Sequence, residues 1–151
     1  MKKIIFYIFL CFFQFSILIA QDNTSIKLYT KESHMIPMRD GIMLYTEILK
    51  PIGNTESFPF LLKRTPYGSE TPYKEGDSIK TEKVPVPKRL AEGGYIFVLQ
   101  DIRGRSKSEG VFEVAKPLYH LKDTSKTDES TDAYDTVDWL IKNISNNNGK
   151  A

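Results

Sequence analysis

The stretch Tyr95-Ile96-Phe97-Val98-Leu99 decides the fold class of this 151-residue chain. Its residues are apolar and aromatic without polar alternation, which is typical of a strand covered on both faces. A second such run, Phe58-Pro59-Phe60-Leu61-Leu62, comes earlier. Between the two runs, a short helix is predicted over Pro87 to Glu92, ended by Gly93-Gly94. Buried strands that alternate with helices indicate an α/β protein with a mostly parallel sheet.

An antiparallel hairpin is predicted ahead of these strands. Apolar and polar residues alternate loosely from Ser25 to Met38, and Ile42 to Leu49 is predicted to be the returning strand. Arg39-Asp40-Gly41 lies between them and favours a turn, because Asp and Gly tolerate the backbone angles of a tight reversal. We expect the hairpin to decorate an edge of the parallel sheet and to be followed by a surface loop over Lys50 to Ser57. The polar segment from Ser69 to Pro87 is predicted to be irregular.

An amphipathic helix is predicted after a charged, glycine-containing loop that spans Gln100 to Pro117. Its apolar face has residues at i, i+4, i+7 and i+8, namely Ala133, Val137, Leu140 and Ile141. Ser130-Thr131-Asp132 offers side-chain oxygens that can cap the first turn, and Asn146-Asn147-Asn148-Gly149 ends the helix. We expect the residues after that break to open a further strand.

The first twenty residues predict a secretory signal peptide. Two lysines form its positive start, Ile4 to Ile19 is almost wholly apolar, and Ala20 precedes a polar stretch. An uncleaved membrane anchor is the alternative, because the apolar run is long for a signal, but the small residue at its end favours cleavage after Ala20. We therefore expect a secreted or periplasmic chain over 21–151 that meets a membrane only through segment 1–20.

The charge of the chain bears on which partners it can bind, and its cysteine content bears on whether disulfides can stabilise it. Cleavage would remove two of the 21 Lys and Arg residues and none of the 19 Asp and Glu residues, which leaves 19 of each sign. A neutral chain without a basic stripe gives no reason to expect nucleic acid as a partner. The one cysteine, Cys11, would leave with the signal, so the mature chain must be stabilised by burying apolar side chains and not by a disulfide.

Four short motifs occur one after another along the chain. They are Arg39-Asp40-Gly41, Lys63-Arg64-Thr65-Pro66-Tyr67-Gly68, Gln100-Asp101-Ile102-Arg103-Gly104 with Ser108-Glu109-Gly110, and Asp132-Ala133-Tyr134-Asp135-Thr136-Val137-Asp138-Trp139-Leu140. Each is weak alone, but their order and spacing resemble the N-terminal half of the X-prolyl dipeptidyl peptidase/cocaine esterase (CocE/NonD) family of serine hydrolases. Within that family, the chain looks most similar to secreted glutaryl acylases and α-amino acid ester hydrolases.

This resemblance implies the N-terminal portion of an α/β-hydrolase fold and an acyl-transfer reaction. Members of the family hydrolyse ester, amide or X-prolyl peptide bonds of small molecules or peptides through a Ser-Asp-His triad and an acyl-enzyme. Their nucleophile lies in a Gly-x-Ser-Tyr-x-Gly turn soon after the segment that matches Asn148-Gly149-Lys150-Ala151. The resemblance therefore places nucleophile, acid and base outside this chain, which is expected to be inactive by itself. The resemblance does not decide the oligomeric state, and a homo-oligomer is one possibility.

Tyr67 is the catalytic residue that the resemblance carries over. In α/β-hydrolases one oxyanion-hole donor comes from the loop after the third strand, and Tyr67 follows the third predicted strand. In the family, a tyrosine hydroxyl at this position donates to the carbonyl oxygen on which negative charge builds. The alternative is an ordinary loop tyrosine after a proline.

Asp101 and Arg103 follow the next buried strand, at the carboxyl edge where α/β folds bind ligands. One interpretation is that they frame the floor of a pocket or orient the nucleophile turn. The other is that they form a structural ion pair that holds a loop.

Other residues that could carry chemistry have ordinary explanations. Ser106 follows a glycine closely, but its segment lacks the closing glycine of a nucleophile turn. His34 and His120 are isolated histidines. Three acids on the predicted helix could suggest a metal, but acids there more often complement the helix dipole and face water: Asp132, Asp135 and Asp138. No metal and no cofactor is predicted.

A second hypothesis for function is a complete small exported binding module, or an inert remnant of an enzyme. The lack of a recognisable triad favours it. Parallel strands without their neighbours argue against it, because parallel sheets are normally buried on both faces.

Overall fold

Five strands and two short-to-medium helices make up the computed structural model, which describes residues 28–114, 117 and 126–151. The strands are β1 (Leu28–Pro37), β2 (Met43–Ile52), β3 (Phe60–Thr65), β4 (Ser78–Lys80) and β5 (Ile96–Asp101). The helices are α1 (Lys88–Glu92) and α2 (Glu129–Asn143), with one turn of 3-10 helix over Thr81–Lys83. The predicted signal segment and His120 lie outside the described residues.

The strands form one mixed sheet with the order β3-β5-β2-β1-β4. β3 and β5 pair in parallel from Phe60 beside Ile96 to Thr65 beside Asp101, which confirms that the two apolar runs form parallel strands. The other strand pairings among the described residues are antiparallel, so the prediction of a mostly parallel sheet is wrong for this part of the chain.

The hairpin is confirmed, but its predicted place at the edge of the sheet is wrong. β1 and β2 pair in register from Leu28 beside Ile52 to Pro37 beside Met43, around a turn in which the amide of Gly41 donates to the carbonyl of Met38 at 2.9 Å. β2 also pairs with β5, which places the hairpin in the interior of the sheet. The reason is burial: β2 has four consecutive buried residues, as expected for a central strand, and it continues into the predicted loop as far as Ile52.

Helices cover both faces of the sheet. Successive side chains of a strand point to opposite faces, so Phe97 and Gln100 of β5 face opposite sides. On the first side, the Tyr29 ring lies 5.7 Å from that of Phe97, and its hydroxyl donates to the carbonyl of Ala91 in α1 at 2.8 Å. On the second side, Gln100 donates to Thr136 of α2 at 2.9 Å. The expectation of strands covered on both faces is therefore confirmed for β5. It is wrong for β3 within the described residues, because Leu61 and Lys63 on one face of that strand are exposed.

The segment predicted to be irregular is partly ordered. It contains β4, which pairs antiparallel with β1 through Tyr29 beside Ile79 and so forms an outer edge of the sheet. Ile79 is buried, and its neighbours Ser78 and Lys80 are exposed. A three-residue strand leaves too short an alternation to be recognised in a proline-containing polar sequence.

α2 is confirmed, with a different cap and a different buried face. Asp128 is the N-cap: its carboxylate accepts from the amide of Thr131 at 2.8 Å, and the Thr131 hydroxyl accepts from the amide of Asp128 at 2.8 Å, a reciprocal capping box. Ile141, expected on the apolar face, is 41% exposed, whereas Asp132, Thr136 and Leu140 are buried. The buried stripe begins with polar side chains because their partners lie in the sheet and its loops.

The last described residues run along the outer side of β3. The Phe58 amide donates to Asn146 and the Phe60 amide to Lys150, both at 2.8 Å, and the Asn148 amide donates back to Phe58 at 3.0 Å. Phe58 and Asn147 form a parallel bridge. The expectation that a further strand opens after α2 agrees with these bonds. No helix within the described ranges is long and apolar enough to cross a membrane.

Candidate active-site loop

Two loops meet at one edge of the sheet, where parallel strands β3 and β5 end beside each other. Thr65 and Asp101 are register partners, so the chain leaves both strands at the same height. The first loop, which we call the Tyr67 loop, spans 66–73. The second follows β5 and carries Arg103 and Lys107. The predicted site residues are therefore brought to one edge, at the carboxyl ends of two parallel strands.

Tyr67 is the second residue of its loop, directly after Pro66. Its side chain is 93% exposed, and its backbone amide donates to the Thr65 hydroxyl at 3.2 Å. Gly68 follows with a φ of +93°, a left-handed conformation that favours glycine and turns the chain back towards the sheet. The hydroxyl is thus presented outward at the edge where the resemblance expects an oxyanion-hole donor. That catalytic role stays a prediction.

Asp101 is a buried carboxylate that joins the two loops. One of its oxygens accepts from the amide of Ser69 at 2.6 Å, and the other accepts from the amide of Lys107 at 3.1 Å. Its own carbonyl accepts from the Ser108 hydroxyl at 2.7 Å. Only 1% of the residue is exposed, so the carboxylate is satisfied by backbone donors and not by water. It makes no ion pair with Arg103 in the described bonds.

Glu47 is a second buried carboxylate at this edge, and it was not predicted as a site residue from the sequence. It accepts from the amide and the hydroxyl of Thr71 at 2.8 and 2.7 Å, from the Tyr45 hydroxyl at 2.8 Å, and it pairs with Lys31 at 2.8 Å. Burial by itself would raise the pKa of Glu47, but these donors outweigh it and hold the pKa below its ordinary value. The available signal was a carboxylate in the middle of the predicted strand Ile42 to Leu49, where Ile48 and Leu49 follow it directly.

Arg103 belongs to a separate ionic cluster with Asp40 and Asp132, which we call the Arg103 cluster. Its guanidinium donates to the Asp132 carboxylate at 2.7 and 3.0 Å and to Asp40 at 2.7 and 3.2 Å. The bond to Asp132 is the main reason that the pKa of Arg103 is raised above its ordinary value. The cluster ties the hairpin turn, the loop after β5 and the first turns of α2 together. Arg103 therefore binds Asp40 and Asp132, and not Asp101, with which it shares a sequence motif.

The three acids of α2 bind cations of the protein itself. Asp132 is 1% exposed, so the expectation that it faces water is wrong, because Arg103 supplies the charge that lets it be buried. Asp135 binds the Arg39 guanidinium at 2.7 Å, and Asp138 binds Lys142 one turn further on. Within the described ranges, no group of three His, Cys, Asp or Glu residues is arranged to hold a metal ion.

The remaining candidates lie apart from one another. Ser106 is exposed in a tight turn with a φ of +47°, and Gly68 of the Tyr67 loop passes close to its hydroxyl. His34 lies on β1, two strands away from β5, and its ring packs 5.1 Å from that of Trp139 in α2. Beside the Tyr67 loop there is a cavity of about 180 Å³, whose lining includes Lys63, Ser69, Thr71 and Leu99.

Comparison with known proteins identifies the family. The model of the X-Pro dipeptidyl-peptidase family, S15, matches residues 40–151. The cocaine esterase of Rhodococcus sp. (strain MB1 Bresler) is 31% identical over 108 residues, which is 72% of this chain and 16% of that protein. The chain therefore belongs to the S15 family of serine hydrolases, as the four motifs predicted.

Two solved structures are similar to the chain in both fold and sequence. An aminopeptidase from a marine sediment archaeon, Thaumarchaeota archaeon, has a TM-score of 0.65 and 41% identity, over 80% of this chain and 20% of that one. An α-amino acid ester hydrolase has a TM-score of 0.64 and 38% identity, over 88% of this chain and 21% of that one. The chain thus spans about a fifth of the length of these relatives.

Proposed function

We propose that this chain is the N-terminal part of a secreted serine hydrolase that cleaves ester, amide or X-prolyl peptide bonds through an acyl-enzyme. Membership of the S15 family supports the reaction class. The relatives include proteins named as an esterase, an aminopeptidase and an amino acid ester hydrolase, so the proposed substrate is a small molecule or peptide with a scissile acyl bond.

The observation that carries the proposal is that two chain segments end beside each other at one edge of the sheet and a third runs towards that edge. Tyr67 follows β3, Asp101 ends β5, and residues 146–150 run parallel to the start of β3 on its other side. With Phe58 beside Asn147, a strand that continued from there would reach the level of Thr65 about seven residues later. A nucleophile turn that followed such a strand would emerge next to Tyr67.

In this arrangement Tyr67 supplies one donor of the oxyanion hole. A serine oxygen attacks the carbonyl carbon, and the carbonyl oxygen takes up the negative charge. A hydroxyl placed near that oxygen stabilises the charge more in the transition state than in the bound substrate. The amide after the nucleophile would be the second donor. The proposed nucleophile, acid and base belong to residues outside this chain.

Two measurements test the proposal. The first is to read the coding sequence beyond codon 151 and express the product of the continuing frame, which we call the extended protein. A Gly-x-Ser-Tyr-x-Gly segment shortly after Ala151, together with covalent labelling of its serine by a fluorophosphonate, is the expected result. A stop codon directly after Ala151 would leave a binding module or inert remnant as the explanation.

Export is tested separately. If segment 1–20 is a cleaved signal, mass spectrometry of the protein collected outside the cytoplasm gives a chain that begins at Gln21. A chain that retains Met1 and sediments with membranes would instead support the uncleaved anchor. This outcome would leave the reaction class untouched, because none of the residues at the sheet edge lies in that segment.

A further inference from the structure

We infer that Glu47 and Asp101 are positioning residues for the proposed reaction: they hold the Tyr67 loop so that the Tyr67 hydroxyl stays directed at the substrate carbonyl. The inference rests on the proposed role of Tyr67. It gives a function to two buried carboxylates that would act on the substrate only through the Tyr67 loop.

The first argument is the alternation along the loop. Tyr67 is 93% exposed and Glu70 is exposed, whereas Ser69 and Thr71 are 7% and 8% exposed. The two buried positions are the ones that Asp101 and Glu47 bind, through the amide of Ser69 at 2.6 Å and the amide and hydroxyl of Thr71 at 2.8 and 2.7 Å. The loop is thus fixed from beneath at two successive points, and Tyr67 lies two residues before the first.

The second argument is that both points require a carboxylate. Asp101 gives one oxygen to each of two backbone amides, so an amide side chain would present a donor to a donor at one of them. Glu47 accepts with both oxygens as well, and a buried N–H left without an acceptor is strongly unfavourable. Replacing either carboxylate by the amide of the same shape, Asp101→Asn or Glu47→Gln, should therefore keep the packing but release the loop.

The third argument is that the counter-ion of Glu47 holds the same loop. Lys31 pairs with Glu47 at 2.8 Å and also donates to the carbonyl of Tyr73 at 2.8 Å, at the far end of the loop. Lys31 and Glu47 are 6% and 0% exposed, so the pair is shielded from water and from salt screening. The strands β1, β2 and β5 therefore each contribute one charged side chain that binds the loop or its counter-ion.

The chain offers a matched pair of variants that changes one bond to Glu47 at a time. Thr71→Val removes the hydroxyl that the loop donates to Glu47, and Tyr45→Phe removes a hydroxyl that β2 donates to the same carboxylate at 2.8 Å. Each variant removes one hydrogen bond to Glu47, and the two bonds have similar lengths. Only Thr71 lies in the Tyr67 loop. In the extended protein, we expect Thr71→Val to lower kcat by about tenfold with KM nearly unchanged, because small misplacement of a catalytic group slows the reaction. Tyr45→Phe is expected to change kcat less than about twofold.

A double-mutant cycle separates positioning from general stability. If Glu47 acts through Tyr67, then Thr71→Val lowers kcat in the wild-type background but by less than about twofold when Tyr67→Phe is already present. Asp101→Asn is a second, independent variant, and it too should lower kcat in the wild-type background but not when Tyr67→Phe is present. Equal fold-losses in both backgrounds, or equal effects of Thr71→Val and Tyr45→Phe, would overturn the inference.

Hydrogen exchange tests the holding of the loop without reference to activity. In the extended protein, the amides of Ser69 and Thr71 should exchange slowly, and Asp101→Asn should accelerate exchange of the Ser69 amide by about tenfold. Rapid exchange of both amides in the unmodified extended protein would refute the holding role. If instead Tyr67→Phe alone leaves kcat unchanged in the extended protein, the oxyanion role fails, and slow exchange would show that the carboxylates still hold the loop.

Discussion

Replacing Arg103 by Met should destabilise the fold far more than replacing Arg39 by Met. Both guanidinium groups make bidentate bonds to carboxylates of α2 that lie one turn apart, Arg103 to Asp132 and Arg39 to Asp135. Both also join the hairpin region to the same helix. Methionine keeps much of the aliphatic stem of arginine and removes its charge, so the pair of variants isolates the effect of burial.

The expected difference follows from exposure. The side chains of Arg103 and Asp132 are 10% and 2% exposed, and those of Arg39 and Asp135 are 21% and 14% exposed. Removing one partner of a buried pair leaves an uncompensated charge and destabilises by about 3–5 kcal/mol. Asp132 retains Arg64 at 3.7 Å, so we expect about 3 kcal/mol for Arg103→Met. The more exposed Arg39 pair should contribute about 1 kcal/mol.

Urea unfolding followed by the fluorescence of Trp139 measures this difference. Trp139 is the one tryptophan of the chain, and its ring packs against His34 at 5.1 Å, so it reports whether α2 is docked on the sheet. With a typical urea slope of about 2 kcal/mol/M, Arg103→Met should lower the midpoint by about 1.5 M and Arg39→Met by about 0.5 M. Equal midpoint shifts for the two variants would refute the argument from burial.

Two predictions concern pH. The folded pKa of Glu47 lies below its ordinary value of 4.5, so the stability that its carboxylate contributes is present above that pH and is lost as the pH falls through the folded pKa. Glu47→Gln should therefore flatten the dependence of the urea midpoint on pH below about 4.5, and an unchanged slope would contradict this. Burial raises the pKa of Tyr29 from 10.0 to about 12, so its contribution is present below pH 10.0 and is lost as the pH rises towards 12. Tyr29→Phe should lose less stability across that interval than the wild type, as judged by the same unfolding assay.

The parts of the fold that could be predicted are those with a local signal. The turn at Arg39-Asp40-Gly41, the apolar runs of β3 and β5, and the periodicity of α2 each lie within a short window of sequence. The placement of β2 beside β5 could not be read in that way, because the pairing joins residues about fifty positions apart and depends on burial of both faces of β2. The hairpin was expected at an edge for that reason.

The same distinction between local and distant signals applies to the candidate site. Tyr67, Asp101 and Arg103 were identified from motifs, and the structure brings them to one edge of the sheet. Their partners were not identified, because a buried carboxylate is recognisable only through donors distant in sequence. Glu47 binds Thr71 of the loop and Lys31 of another strand, and Arg103 binds Asp40 and Asp132 instead of its neighbour Asp101.

Tyr67→Phe in the extended protein tests the central claim most directly. The substitution removes only the hydroxyl from a side chain that is 93% exposed in this chain, so folding should be unaffected. If the hydroxyl stabilises the oxyanion, kcat for a chromogenic ester falls by about 10²–10³ with little change in KM. A kcat equal to that of the wild type would contradict the account, and Tyr67 would then be an ordinary loop tyrosine.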